Sequence, residues 1–453
     1  MKNRIAIYLS VLSMAVIALS CSLDSDSDTA SSYAYIKSFS IGDVKSSYPA
    51  ITDDGKDTTV VKTISGSSFP FTINQATCEI YNNDSFPYLT NLTKVVVNMK
   101  LEGVATIYNA ENEAFENFTT SDSIDFTTPR TIRITSLNEE YTKDYHVSVN
   151  AHKVEPEKMA WSKVATPSGI APEKAIQFGD DMLLLGKSSG KAVVASMPLN
   201  GATTWALAEP VGLPATVDFS SSVFFNDSLY ALADGNLYAS ADAVNWDCLS
   251  ANDSLVAIIG ASAVDSCLWV ANADSLYCGA DGSSLEPVSA LPENFPLYGV
   301  SSMSYQLSHN KSIVRYMLIG YTTPDKSGTP QVWSKLSTEN AWVKYDNIDN
   351  PYPCPSLAGL SVLRYDNNLY ALGGKGKVGV NDVEAFSSFY ISKDNGIVWK
   401  APDDYYLLLP KELKGKNIPF VATVDANKFM WIITTDSNVG AWRGIINRLG
   451  FSK

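Results

Sequence analysis

The sequence predicts an all-β chain: a β-sandwich followed by a six-bladed β-propeller closed by the propeller's own N-terminal strand. Three observations predict this. Short apolar–polar alternations separated by Asn-, Asp-, Gly- and Pro-rich turns fill residues 33–152, with no long stretch of helical period. After residue 159 an apolar strand flanked by two partners recurs six times. Near the end, ISKDNGIVWK (391–400) has the spacing Ser-x-Asp-x-Gly-x-x-Trp, a turn that leads into a tryptophan-bearing strand.

Taken in order, the first element is a leader. Lys2 and Arg4 precede an apolar run from Ile5 to Leu19, and Ala-Leu-Ser precedes Cys21. The run is short for a membrane-spanning helix. It resembles a bacterial lipoprotein signal, which implies cleavage before Cys21 and acylation of that cysteine. Residues 22–32 read SLDSDSDTASS, too polar to bury a core, and are expected to act as a flexible acidic tether. An acidic run directly after the lipidated cysteine resembles the surface-export signal of Bacteroidetes lipoproteins. That resemblance implies an outer-membrane lipoprotein displayed at the cell surface, with the periplasmic face as the alternative.

The sandwich is expected over 33–152. Its strands include TVVKTI (59–64), KVVVNMKL (94–101), ATIYN (105–109), RTIRITS (130–136) and DYHVSVNAH (144–152). The ending SLNEEYTKDYHVSVNAH resembles the last two strands of Ig-like modules of Bacteroidetes surface proteins, and implies either a spacer or a binding module. KVEPEK (153–158) is the expected linker.

The propeller is expected over 159–453. Its recurrent strands are MLLLG (182–186), LYALA (229–233), LWVAN (268–272), YMLIG (316–320), LYALGG (369–374) and FMWIITT (429–435). They start 47, 39, 48, 53 and 60 residues apart, near the period of propeller blades. Outer strands follow at Trp205, Trp246, Leu285, Trp342 and Trp399, whereas the sixth unit has none. MAWSKVA (159–165) stands ahead of the first unit. It is expected to complete the last blade, tying the chain ends together and removing an open sheet edge.

ISKDNGIVWK matches the Asp-box of sialidases and many other propellers. Asp394 can accept hydrogen bonds from its own turn, with Ser392 beside it; Gly396 permits positive φ, and Trp399 fills the widening space between blades. The box is therefore expected to be structural. SADAVNW (240–246) is a degenerate second copy. LYALGG resembles the second strand of a Kelch blade. The whole arrangement resembles an uncharacterised family of Bacteroidetes lipoproteins known only as a domain of unknown function, and that resemblance brings no reaction with it.

Composition limits the chemistry. The net charge of −14 opposes nucleic-acid binding, which needs a concentrated basic surface. A sialidase needs three converging arginines, and the propeller holds Arg315, Arg364, Arg443 and Arg448, all in its second half. His309 is its one histidine, which opposes multi-histidine metal centres and His-dependent nucleophiles. No phosphate or dinucleotide loop occurs, and neither cofactor nor metal is expected. Cys267 and Cys278 can face each other across a hairpin, either as a bridge or as two buried thiols.

Long connections at 343–360, 373–386 and 400–418 are the places to look for a ligand site. Tyr352, Asp403, Tyr405 and Tyr406 are the candidate ligand-binding residues, suited to stacking on a sugar or contacting a protein partner, or else to packing the propeller's own rim. The expected function is non-catalytic binding of a glycan or protein ligand at the cell surface. The alternatives are a two-carboxylate glycoside hydrolase and a structural part of an outer-membrane complex.

Overall fold

A computed structural model of the chain describes residues 30–51, 57–119, 121–199, 204–249, 254–345, 349–402 and 406–451. The leader, Cys21 and tether residues 22–29 lie outside the described residues, as do Asp403 and Tyr405. The fold is all-β, in two units that divide between Pro156 and Glu157.

In the first unit, a three-stranded sheet (Tyr35–Ile41, Val95–Glu102, Ser123–Ile124) is accompanied by a six-stranded sheet. The latter is ordered Phe71–Asn74, Glu79–Asn82, Thr142–Ser148, Arg130–Thr135, Val104–Asn109, Ala114–Asn117. Alternation places Ile36, Val95, Val97, Ile80, Ile132 and Ile134 in one core. Tyr145 is wholly buried there, and its hydroxyl is satisfied by Gln75 Oε1 (2.6 Å) and the Ile36 N–H (3.3 Å). A separate hairpin pairs Val44–Ile51 with Asp57–Ile64.

The second unit is a ring of six antiparallel sheets. Their inner strands are Ala171–Phe178, Asp218–Phe225, Leu255–Ser262, Tyr298–Gln306, Ser361–Tyr365 and Val421–Val424, each beside the next and the last beside the first. The second strand of each blade is an unbroken apolar run rather than an alternation. Ser228–Ala233, for example, is buried at every position after the first. A blade is covered on both faces by its neighbours, so both faces of its middle strand must be apolar. Separate cores fill the six spaces between blades, and the one joining Met182, Leu184 and Val193 to Val421, Trp431 and Ile433 closes the ring.

Closure follows the expectation from MAWSKVA. Met159–Val164 pairs antiparallel with Ala441–Ile446, from Met159↔Ile446 to Val164↔Ala441, as the outer strand of blade 6. Trp161 Nε1 donates to the Leu408 carbonyl at 2.7 Å. Blade 5 departs from the four-strand plan. It has Ser361–Tyr365, Asn368–Leu372 and Tyr390–Ser392, with a single bridge from Ile391 to Lys400 in place of an outer strand. The long stretch after LYALGG forms a hairpin, Gly376–Val378 with Asn381–Val383, which Ser356–Leu357 extends to a three-stranded sheet. Of the two readings of Cys267 and Cys278, the structure has the disulfide, with Cα atoms 5.9 Å apart.

Candidate functional site

The Asp-box turn sits where blade 5 turns from its third strand toward the Lys400 bridge. Asp394 Oδ1 accepts the Ser392 hydroxyl (2.7 Å) and the N–H groups of Ile397 (3.2 Å) and Val398 (3.0 Å). Ser392 Oγ in turn accepts the Gly396 N–H at 2.8 Å. Gly396 has φ +96°, and a Cβ there would lie 3.0 Å from Val332 Cγ1 on blade 4. Trp399 is completely buried, and its indole N–H donates to the Gly396 carbonyl at 2.9 Å. The carboxylate's bonds are thus spent on its own turn.

The degenerate copy does the same work. Asp242 Oδ1 accepts the N–H groups of Val244 (2.8 Å) and Asn245 (2.7 Å), and Trp246 Nε1 donates to the Ala243 carbonyl at 3.0 Å. The backbone N–H and side-chain amide of Asn245, with the Val244 N–H, hold the Asp242 carboxyl down at about 2. Blade 6 carries a third copy that the sequence spacing hid. Asp436 Oδ1 accepts the Asn438 N–H (2.8 Å), Thr434 Oγ1 donates to the Gly440 carbonyl (2.9 Å), and Trp442 Nε1 reaches the Val439 carbonyl (3.0 Å). One extra residue between Asp and Trp breaks the motif's register but keeps the indole bonded three residues back.

The arginines do not form one cluster. Arg364 stacks on the Tyr305 ring at 4.1 Å, and Arg315 binds Ser334 Oγ (3.0 Å) and Tyr345 Oη (3.3 Å). Arg443 lies over Phe429 and reaches the Leu199 carbonyl, while Arg448 is held by Asp366 and Glu157. Among the described residues, no group of three or more His, Cys, Asp or Glu is placed to hold a metal ion.

Two of the candidate tyrosines can be placed. Tyr352 is 43% exposed, its carbonyl accepts the Trp399 N–H (3.0 Å), and Lys400 Nζ lies 4.4 Å from its ring centre. Tyr406 accepts the Met159 N–H on its carbonyl (2.8 Å) and lines a cavity of about 630 Å³ between blades 5 and 6, with Asp394, Lys400 and Arg448. No inner-strand residue lines that cavity. Tyr352 and Tyr406 therefore belong to the outer part of the ring.

The channel itself opens into a cavity of about 530 Å³ at the starts of the inner strands. Its wall includes Glu173 and Lys174 of blade 1, Ser220 of blade 2, Ser301 of blade 4, Ser361 of blade 5 and Val421 of blade 6. The lip comes from Tyr321, Asp325 and Lys326, from Leu357–Leu360 between blades 4 and 5, and from Phe420. Gly299, at φ +57°, leaves room for the lysine: a Cβ there would stand 3.1 Å from Lys326 Cδ.

The acids of this mouth are satisfied. Glu173 Oε2 accepts the Phe219 N–H at 3.0 Å, and Oε1 lies 3.8 Å from Lys187 Nζ. Burial nevertheless raises the Glu173 carboxyl above the usual range. Asp325 accepts the Ser327 hydroxyl at 3.0 Å, and hydroxyl bonds from Thr323 and Ser327 lower its pKa. Lys174 differs: its ammonium donates to the Ser220 carbonyl at 3.4 Å, and burial pushes its pKa down.

None of these mouth residues stood out in the sequence. The signal lay in two places, the residues just ahead of each inner strand (PEK before AIQFG) and the connection YTTPDKSGTP (321–330).

A ring of six four-stranded or shortened sheets with an axial mouth defines a β-propeller protein. The chain belongs to the DUF6242 family: the model described as DUF6242 beta propeller domain matches residues 155–453, and that of the DUF6242 N-terminal domain matches residues 39–149. No curated protein matches it. Among solved structures, an iodide form of a Trichoderma reesei carbohydrate-active enzyme of family AA12 is 10% identical, covering 64% of this chain and 96% of that one at TM-score 0.38. The WD40 domain of Toxoplasma gondii coronin is 12% identical, covering 65% and 88% at TM-score 0.35. The extracellular domain of a hybrid two component system of B. thetaiotaomicron is 10% identical, covering 62% and 39% at TM-score 0.33.

Proposed function

We propose that the protein is a surface-displayed, lipid-anchored binding protein that holds a glycan or protein ligand at the channel mouth without turning it over. The N-terminal unit, which we read as Ig-like, serves as spacer between the Cys21 anchor and the propeller. The observation that carries the binding function is the mouth cavity. Its wall mixes polar and apolar side chains, it is open to solvent, and it is of the size that accommodates a small ligand. The connections that line it join blades or second and third strands, where propeller scaffolds can vary without loss of packing.

Binding without turnover is favoured over hydrolysis by how the mouth carboxylates are used. Glycoside hydrolysis needs one carboxyl free to protonate and another free to attack or to activate water. Glu173 is tied to Phe219 and Lys187, and Asp325 to its own loop. The dispersal of Arg443 and Arg448 away from Arg315 and Arg364 disfavours a sialidase-type carboxylate clamp.

The test incubates the purified protein with neutral and acidic oligosaccharides, following heat of binding and, separately, products by chromatography. Binding with intact sugar recovered is the expected result; release of shorter sugars would replace this reading with a hydrolase. Palmitate labelling that disappears in Cys21→Ala, together with protease sensitivity on intact cells, tests the anchor and its face.

A further inference from the structure

We infer that the channel mouth is built for an acidic sugar, a uronic acid residue within a glycan, whose carboxylate seats against Lys174. This rests on the reading of the mouth as the binding site and adds the chemical class of ligand.

The inference comes from an imbalance in the mouth. Both acids there already have donors in contact, whereas its lysines have no acid within ion-pair distance and feel only the longer-range charges of Asp218, at Lys174, and of Glu173, at Lys326. Lys174 forms no ion pair among the described residues, and its hydrogen bond runs to a neutral carbonyl, that of Ser220. The nearby acid of blade 2, Asp218, accepts the Ser220 N–H at 2.8 Å and does not come within ion-pair distance of Lys174. A half-buried ammonium with no carboxylate in contact is costly to keep, and an anion arriving from solvent would lower that cost. Lys174 lines both the mouth and the narrower channel of about 340 Å³ below it, so an anion bound there would sit on the axis. Lys326 stands on the lip as a second cation, likewise outside any ion pair among the described residues.

The remaining lining fits the rest of a sugar. Ser220 and Ser361 present polar edges for hydroxyl groups, and Phe420 supplies an apolar wall for a ring face. Phosphate is a poorer match. A dianion is best held by guanidinium forks or several converging N–H groups, and the mouth has no arginine.

The experiment is calorimetry on the purified protein with trigalacturonate, its neutral counterpart galactotriose, and inorganic phosphate. The variants are Lys174→Gln, Lys174→Arg and Phe420→Ala, each checked for an unchanged thermal midpoint. Trigalacturonate is expected to bind at least about 10-fold more tightly than galactotriose. Lys174→Gln should lose about 10- to 100-fold for the acidic sugar alone, the scale of a hydrogen bond to a charged group, and Lys174→Arg should retain most of the affinity. Phe420→Ala should weaken any sugar seated in the mouth. If both sugars bind alike, depend on Phe420 and ignore Lys174→Gln, the acidic class is overturned while the mouth stands. Tighter binding of phosphate than of trigalacturonate also overturns it. If neither sugar binds, the acidic class is overturned while a protein ligand at the mouth stands; if binding ignores Phe420→Ala, the mouth reading falls and this inference falls with it.

Discussion

Replacing Trp399 by alanine tests the claim that the Asp-box braces two blades. The indole is fully buried among Met317, Val332, Val362, Leu369 and Tyr390, at the boundary of blades 4 and 5. A buried tryptophan removes about 150–250 Å² from water, and at about 25 cal/mol per Å² this is worth about 4–6 kcal/mol as an upper bound. Truncation leaves the Cβ packed but opens a cavity and strands the Gly396 carbonyl, so the expected loss is about 3–5 kcal/mol. Asp394→Ala should cost less, about 1–2 kcal/mol, because water can replace the acceptor for the partly exposed Ile397 and Val398 N–H groups. All nine tryptophans lie in the propeller unit, so indole fluorescence in a urea titration follows that unit alone. The expected result is a lower urea midpoint at unchanged slope, larger for Trp399→Ala than for Asp394→Ala. A loss below about 1 kcal/mol for Trp399→Ala would refute the bracing role. So would Asp394→Ala leaving stability intact while abolishing ligand binding.

Gly396→Ala should destabilise the propeller by about 1–2 kcal/mol, since φ +96° and the 3.0 Å approach to Val332 both oppose a Cβ; the same urea titration measures it. Asp242 gives a pH prediction. Its folded pKa of about 2 lies below the unfolded carboxylate value of about 3.9, so its contribution is complete above pH 4 and vanishes as pH falls toward 2. Urea midpoints of the wild type and Asp242→Ala should therefore differ at pH 5 and converge near pH 2; a gap that persists at pH 2 would exclude the carboxylate as its source. Deleting Met159–Val164 should uncover Ala441–Ile446 as an open edge. Size-exclusion chromatography should then show association of chains and a broadened unfolding transition; a monomer that unfolds as cooperatively as the wild type would contradict closure by this strand.

Much of the architecture was legible because blade packing writes itself into short runs. LYALA and its equivalents are apolar at consecutive positions since both faces of the strand are covered, and this distinguishes them from the alternating strands of the sandwich. The closing role of MAWSKVA could be read from arithmetic, as the sixth unit lacked an outer strand. The third box at Thr434–Trp442 was not legible, because one added residue alters the spacing and the partners of Thr434 and Asp436 and keeps only the indole bond to the carbonyl three residues back. Nor was the hairpin at Gly376–Val383, where a Gly-rich stretch reads as loop until Gly379 is seen to turn it. The mouth was hidden for a geometric reason. Its residues come in short separate runs from five blades, between Glu173 and Ala422, and only ring closure brings them together. Aromatic residues on long connections drew attention to Tyr352 and Tyr406, which the structure places toward the outside of the ring.

The most direct test of the account is a crystal structure of the protein grown with trigalacturonate. The account predicts intact sugar at the axial mouth, with a carboxylate on Lys174 and a ring beside Phe420, while Asp394 stays bonded within its own turn. Sugar bound instead in the cavity between blades 5 and 6, or a cleaved product lying against Glu173, would contradict it.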